Sequence, residues 1–281
     1  NNLSSINKIF KKKIDYCMSS ISGLDGLKPT LDIIKFTKKI AIANKESIIS
    51  GWNLINKELQ GHKTEFIPVD SEHYSIWSLL NNNKSQNIDS IFITASGGPF
   101  LNLALNKFKN ISPLKAVKHP NWNMGKKISI DSATMINKVF EVIEAQRIFS
   151  IDNSKFKIYT HPNSYVHAIV KFNNGLSKIL IHDTDMSIPI VNSIYGESKA
   201  LIKSKKLNIK YLNDLNFNEI NTLKFPSINI LKKIPKKHSL FETVLISAND
   251  ELVDLFLKRK IRFLDIVKKL KVIINLKEFN K

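Results

Sequence analysis

The chain has 281 residues, 43% of them apolar and 24% charged, with 43 Lys+Arg against 24 Asp+Glu for a formal charge of +19. That composition excludes a disordered or fibrous chain, and its length suits about two domains with a sizeable core. The single cysteine, Cys17, excludes a disulfide framework and a Cys-based metal site, and fits a reducing, cytoplasmic compartment.

No run of 18 apolar residues is present, so no membrane span and no membrane partner are expected. The chain opens Asn1-Asn2-Leu3 without Met and without a signal pattern, which suggests a mature product or a fragment. The charge invites a nucleic-acid reading. The excess is Lys rather than Arg, however, and it accompanies abundant Asn and Ile. These residues share A/T-rich codons, so coding bias accounts for the balance and no nucleic-acid partner is expected.

In chain order, Pro29 suits a first helical turn and Leu31, Ile33, Ile34 and Phe36 continue it. Residues 39–43 read as a short buried strand, running through Asn44-Lys45-Glu46-Ser47 into a helix that carries Ile48, Ile49, Trp52 and Ile55. Phe66 to Val69 reads as a strand ending at Asp70-Ser71-Glu72-His73, and Ile91 to Thr94 as another ending in Ser96-Gly97-Gly98-Pro99. Residues 131–149 read as one helix with Asp131 as its N-cap. Residues 157–159, 166–172 and 178–182 read as strands, so the sheet is expected to be mixed. From residue 196 a Lys-rich linker leads to helices over 241–256 and 261–274. The fold class is therefore α/β with a helical C-terminal part.

Three polar clusters are placed at the carboxyl ends of strands, the edge where open α/β sheets bind ligands. In extended backbone Asp70 and Glu72 point the same way. Glu141 lies on the 131–149 helix, with Asn137 one turn earlier on the same face and Lys138 beside it. Three carboxylates without cysteine suit Mg²⁺ or Mn²⁺, although Asp-x-Glu is common and spacing alone favours solvated loop acids. Ser96 with its two glycines could offer a hydroxyl and backbone N–H groups to an anion, or form a plain turn. Ser132, read as just inside a helix N-terminus, and Lys138 add to that anion site. The third cluster, His119 to Gly125, holds Trp122 and Met124 in a polar stretch that suits a mobile cover or a loop pinned by one aromatic. His161 and His167 lack metal spacing and read as structural.

Taken in order, residues 43–47, 68–73, 94–100, 119–125, 127–135, 137–138, 161–167 and 185–190 resemble the 1-deoxy-D-xylulose 5-phosphate reductoisomerase family. The resemblance implies a remnant of a Rossmann-like NADPH-binding domain over 1–70, an α/β catalytic domain with a mixed sheet over 71–195, and a linker with a truncated helical domain over 196–281. It implies Asp70, Glu72 and Glu141 as ligands of Mg²⁺ or Mn²⁺, and Lys45 and Ser71 as substrate contacts near the metal. Ser96, His119, Ser132, Asn137 and Lys138 would form the substrate and phosphate pocket, with Glu72 and Glu141 also facing the substrate. Lys45, Asp70, Glu72, Glu141 and His119 would be catalytic. Trp122 and Met124 would form the flap, and Asn44, Glu46 and Gly125 would contact NADPH. The implied substrate is a small phosphorylated ketose, reduced by NADPH after skeletal rearrangement to 2-C-methyl-D-erythritol 4-phosphate in isoprenoid biosynthesis, by a homodimer.

The chain departs from the family where a Gly-rich phosphate-binding turn should open the dinucleotide fold: its first glycines are Gly23 and Gly26. Smaller departures are Asn123 and Ser247-Ala248-Asn249-Asp250-Glu251. Two other functions stay open at this point: a cofactor-independent, metal-dependent sugar-phosphate isomerase or lyase, and a basic nucleic-acid-binding module.

Overall fold

The computed structural model describes residues 6–80, 87–122, 124–196, 202, 206–237 and 239–279. Asn1, Asn123 and much of the linker reading after residue 196 lie outside them. After a short helix α1 (Ile6–Ile9), strands β1 (Ile14–Ser19), β2 (Thr37–Ile42) and β3 (Glu65–Pro68) form a parallel sheet in that order. Parallel neighbours need crossovers, supplied by helices α2 (Leu27–Ile34) and α3 (Lys45–His62). On α3, Ile48, Trp52, Ile55 and Leu59 recur at helical spacing and pack with Ile33, Ile34, Ile40 and Ile42. Asn44 caps α3 by accepting the Ser47 N–H at 2.8 Å.

Helix α4 (Ser71–Leu80) leads to β4 (Ile88–Ala95), the centre of a second sheet with β5 (Phe156–Thr160), β6 (Val166–Phe172), β7 (Ser177–Ile181) and a two-residue β8 (Asn218–Glu219). Its order is β7-β6-β4-β5-β8; β4 and β5 are parallel and the other pairs antiparallel, so the sheet is mixed as expected. Ile76 and Leu79 of α4 bury one face of this sheet, joined by Val142 and Ala145 of a later helix. Between β4 and β5 run short α5 (Pro113–Ala116), α6 (Lys126–Ala133) and α7 (Ile136–Phe149). After β7 come α8 (Ser187–Tyr195) and α9 (Ile209–Asn213). Helices α10 (Phe241–Leu257) and α11 (Phe263–Ile273) share a core with α6 and α7, in which Phe263 meets Phe100, Phe108 and Phe256 edge-on. Among the described residues no helix is long and apolar enough to cross a membrane.

Several sequence expectations are corrected here. The helix read over 131–149 is two helices, because Met135 adopts a left-handed conformation (φ 63°) and Thr134 bonds back to the Ile130 carbonyl at 3.0 Å. Ile130, Ala133, Ile136, Val139 and Phe140 are all buried across the break, so the apolar period runs through it unmarked. Asp131 is therefore not an N-cap, and Ser132 sits in the last turn of α6 rather than at a helix N-terminus. Asp70-Ser71-Glu72 is not extended either: the Asp70 carbonyl accepts the Tyr74 N–H at 2.8 Å and Glu72 lies in the first turn of α4, where the helix dipole favours an acid. Finally, His119 to Gly125 follows no strand; helical turns over Leu105–Asn110 and Pro113–Ala116 precede it.

Candidate active site

The ends of β2, β3 and β4 open into one cavity of about 370 Å³, lined also by His119, Trp122, Met124 and Gly125 and by residues of α6 and α7. From β2 come Asn44 and Lys45, from β3 Asp70, Ser71 and Glu72, and from β4 Ser96. Helices α6 and α7 supply Ser132, Asn137, Lys138, Glu141 and Glu144, and the segment before them His119, Trp122, Met124 and Gly125.

Two lysines, Lys138 buried and Lys45 largely so, hold the acids. Lys45 Nζ donates to Asn137 Oδ1 at 2.7 Å and lies 3.0 Å from Asp70 and 3.6 Å from Glu141. Lys138 Nζ lies 2.6 Å from Glu141 and contacts Glu72, which also accepts the Ser71 hydroxyl at 2.6 Å. Burial alone would lower both ammonium groups, but the surrounding carboxylates hold them above the ordinary lysine range. Burial likewise works against the ionised Glu72, yet the Lys138 charge and the hydrogen bonds to Glu72 keep it below the usual carboxylate range. Burial, joined by the Glu72 charge, pushes Glu141 up to about 8. The oxygens of Asp70, Glu72 and Glu141 come within 4.8 Å of one another.

On the opposite wall, His119 Nδ1 accepts the N–H groups of Asn121 at 3.2 Å and Trp122 at 3.0 Å. The ring proton therefore sits on Nε2, which donates to Ser96 Oγ at 2.9 Å. The same oxygen accepts the Gly98 N–H at 3.1 Å, leaving the Ser96 hydroxyl proton to point at a ligand. Burial, with help from Lys138, lowers His119 to about 4, so the ring is neutral. Gly98 (φ 62°) brings this turn against α6; a Cβ there would stand 3.0 Å from the Ser132 carbonyl oxygen. Ser96 and Ser132 thereby come to line one cavity.

Three profiles cover most of the chain: 1-deoxy-D-xylulose 5-phosphate reductoisomerase over residues 2–51, its C-terminal domain over 66–149, and the DXP reductoisomerase C-terminal domain over 181–281. The 1-deoxy-D-xylulose 5-phosphate reductoisomerase of Pelagibacter ubique is 63% identical over 283 residues, covering 100% of this chain and 73% of that protein. The chain belongs to the 1-deoxy-D-xylulose 5-phosphate reductoisomerase family. The Wolbachia pipientis wMel reductoisomerase is 40% identical, over 90% of this chain and 66% of its own length. The solved Zymomonas mobilis reductoisomerase in complex with NADPH superposes with a TM-score of 0.88 at 34% identity, over 97% of this chain and 71% of that one. A reductoisomerase in complex with NADPH, fosmidomycin and magnesium gives 0.88 at 31% identity, over 99% and 70%. The isomerase and nucleic-acid alternatives find no support in these likenesses.

Within this reductoisomerase framework, every residue expected to bind metal or substrate lines the one cavity, as do Trp122, Met124, Asn44 and Gly125. Glu46 does not; it pairs with Lys127 at 2.9 Å, a lysine that also reaches Asp131 and Asp250 at 3.1 and 3.0 Å. The Asn44 side chain is consumed internally, its amide donating to the Ile21 and Gly23 carbonyls and its oxygen capping α3. Lys138 is less a free phosphate cation than a partner of two acids.

The sequence reading missed Glu144, signalled only by its i+3 spacing from Glu141. His167, read as structural on its spacing, lines the cavity, stacked on His182 at 3.9 Å and meeting Trp122 edge-on at 6.0 Å.

Proposed function

We propose that this chain carries the metal and substrate site of a 1-deoxy-D-xylulose 5-phosphate reductoisomerase, converting that ketose phosphate to 2-C-methyl-D-erythritol 4-phosphate with NADPH and Mg²⁺ or Mn²⁺. One observation carries the reading: Asp70, Glu72 and Glu141 converge within 4.8 Å in the same cavity as the Ser96–His119 pair. Three hard oxygen donors from separate elements suit a divalent ion. Bound there, it supplies Lewis-acid polarisation of the substrate carbonyl and its neighbouring hydroxyl.

The protein side chains do the rest. Ser96, oriented by the N–H of neutral His119, donates its hydroxyl proton and Ser132 adds a polar contact for the phosphate end, while Asn137 is held between Lys45 and Glu141. Lys45, held between Asp70 and Glu141, orients those acids and presents an ammonium to substrate oxygens. Trp122 and Met124 exclude water as the segment carrying them closes. Distant phosphate contacts thereby help orient the reacting end during the retro-aldol rearrangement.

NADPH supplies the hydride when bound. Gly125, where an added Cβ would meet nothing within 4 Å, and Met124 give its nicotinamide end an open wall. Among the described residues no Gly-rich turn cradles its diphosphate, and the Asn44 and Glu46 side chains are already engaged.

We also propose a cytoplasmic homodimer, and the domain limits 1–70, 71–195 and 196–281. Support for dimerisation is the second face of the mixed sheet, where partly exposed Phe92, Tyr159 and Ile169 line an apolar hollow with Phe217 and Ile179 is 45% exposed nearby. The function is tested by incubating the chain with 1-deoxy-D-xylulose 5-phosphate, NADPH and Mn²⁺. Loss of NADPH matched by 2-C-methyl-D-erythritol 4-phosphate is expected; metal-independent turnover would overturn the reading.

A further inference from the structure

Behind the carboxylate triad lies a second convergent group, Asp70, His73 and Glu144, whose ligand atoms also come within 4.8 Å of one another. His73 is wholly buried on α4 and Glu144 is 2% exposed on α7. His73 Nε2 lies 2.8 Å from the Glu141 backbone oxygen. A carbonyl only accepts, so Nε2 carries a ring proton, and the lone pair a metal ion would use is the one at Nδ1. That lone pair faces two carboxylates, Glu144 Oε2 at 3.5 Å and Asp70 Oδ1 at 3.8 Å. Neither contact is a hydrogen bond, and both Nδ1 and Glu144 Oε2 lack a hydrogen-bond partner.

Electron-pair donors facing one another in a dry interior are costly unless a proton or a metal ion lies between them, and a metal ion entering here would displace any proton they share. Separations of 3.5 and 3.8 Å exceed hydrogen-bond length. They suit neighbouring ligands of one ion, since bonds of about 2.1 Å in a tetrahedron place ligand atoms roughly 3.4 Å apart. An imidazole whose other N–H is fixed by a backbone carbonyl is also the arrangement metal-bound histidines use. Asp70 has an oxygen for each neighbour: Oδ1 faces His73, while Oδ2 faces Lys45.

We propose that Asp70, His73 and Glu144 form a second divalent-cation site, sharing Asp70 with the triad and taking Zn²⁺, Mn²⁺ or Co²⁺ in preference to Mg²⁺. The imidazole nitrogen sets that preference, since Mg²⁺ takes oxygen donors. Glu144 lines the substrate cavity, so the second ion borders the substrate space. Four carboxyl groups (Asp70, Glu72, Glu141 and Glu144) face two lysines, so an ion that displaces the protons held there meets a surplus of acids.

The proposal goes beyond the single-ion reading above, and the two fail separately. The metal-free chain is titrated with Mn²⁺ while electron paramagnetic resonance counts bound ions and their coupling. Two bound Mn²⁺ per chain, with spin coupling through Asp70, are expected. Glu144→Gln, which keeps the volume of the carboxyl, should bind one uncoupled ion, and His73→Asn should do the same while both retain cooperative melting. A single Mn²⁺ that Glu144→Gln leaves in place and Glu141→Gln removes would overturn the second site and leave the first standing. No Mn²⁺ bound by the unaltered chain would overturn both.

Discussion

The ammonium of Lys45 lies 3.0 Å from the carboxylate of Asp70, joining the first turn of α3 to the end of β3. With Lys138 on the opposite side, it holds the acids of the site together by protein charge alone. Removing one partner of a buried ion pair costs about 3–5 kcal/mol, because the other charge is left uncompensated. Lys45→Met is therefore expected to destabilise the metal-free chain by roughly that amount. Saturating Mn²⁺ should restore much of the loss, and thermal melts with and without Mn²⁺ check it. Equal loss in both conditions would place Lys45 outside the charge balance of the metal site.

Metal affinity should depend on pH through Glu141, whose carboxyl burial and the Glu72 charge push up to about 8. Below that pH an incoming ion must displace a proton, so affinity should fall by about tenfold per unit as pH drops; above it the dependence should flatten. The stability sign agrees. With its folded value raised above the unfolded 4.5, protonated Glu141 contributes stability below about 4.5 that is lost as pH rises through about 8. The metal should therefore raise the melting temperature more at higher pH. Calorimetry with Mg²⁺ in buffers of differing ionisation heat reads the proton release, and a flat profile would contradict it.

His119 should act as a neutral donor across the working range. Its ring is lowered to about 4 by burial and Lys138, and its Nδ1 already accepts two backbone N–H groups. Nitrogen NMR should show the Nε2–H tautomer with no titration between about pH 5 and about pH 8, against the unperturbed value near 6.5. His119→Ala should weaken substrate binding by about 1 kcal/mol, because the hydrogen bond that orients the Ser96 hydroxyl is lost. A midpoint near 6.5 would overturn the assignment.

Away from the site, Arg147 on α7 and Glu242 on α10 form a buried ion pair, with Ser239 donating to Glu242 at 2.9 Å. Glu242→Ala should cost about 3–5 kcal/mol by stranding the guanidinium, read as a lower urea midpoint. A change within about 0.5 kcal/mol would show that solvent reaches Arg147.

Much of this was legible in residue order. Alternation of helix and strand patterns placed β2, β3, β4 and their trailing polar residues, and the carboxyl ends of those strands did converge on one cavity. What sequence could not show was backbone direction at two points. Met135 breaks a helix without glycine or proline, because burial of Ile130 and Ile136 on either side preserves the apolar period. Asp70 and Glu72 meet Glu141 through a helix start rather than strand alternation, a difference that type and spacing leave invisible. His73 and Glu144 escaped notice for a related reason. Each sits one helical turn from a residue that drew attention, and only packing of α4 against α7 faces them toward one another.

The most direct test of the central claim is calorimetric binding of 1-deoxy-D-xylulose 5-phosphate to the chain, with Mg²⁺ and after chelation. Saturable binding, one substrate per chain, that requires the ion and is lost in Asp70→Asn is expected. Binding of equal strength without metal, or binding that Asp70→Asn leaves unchanged, would contradict it.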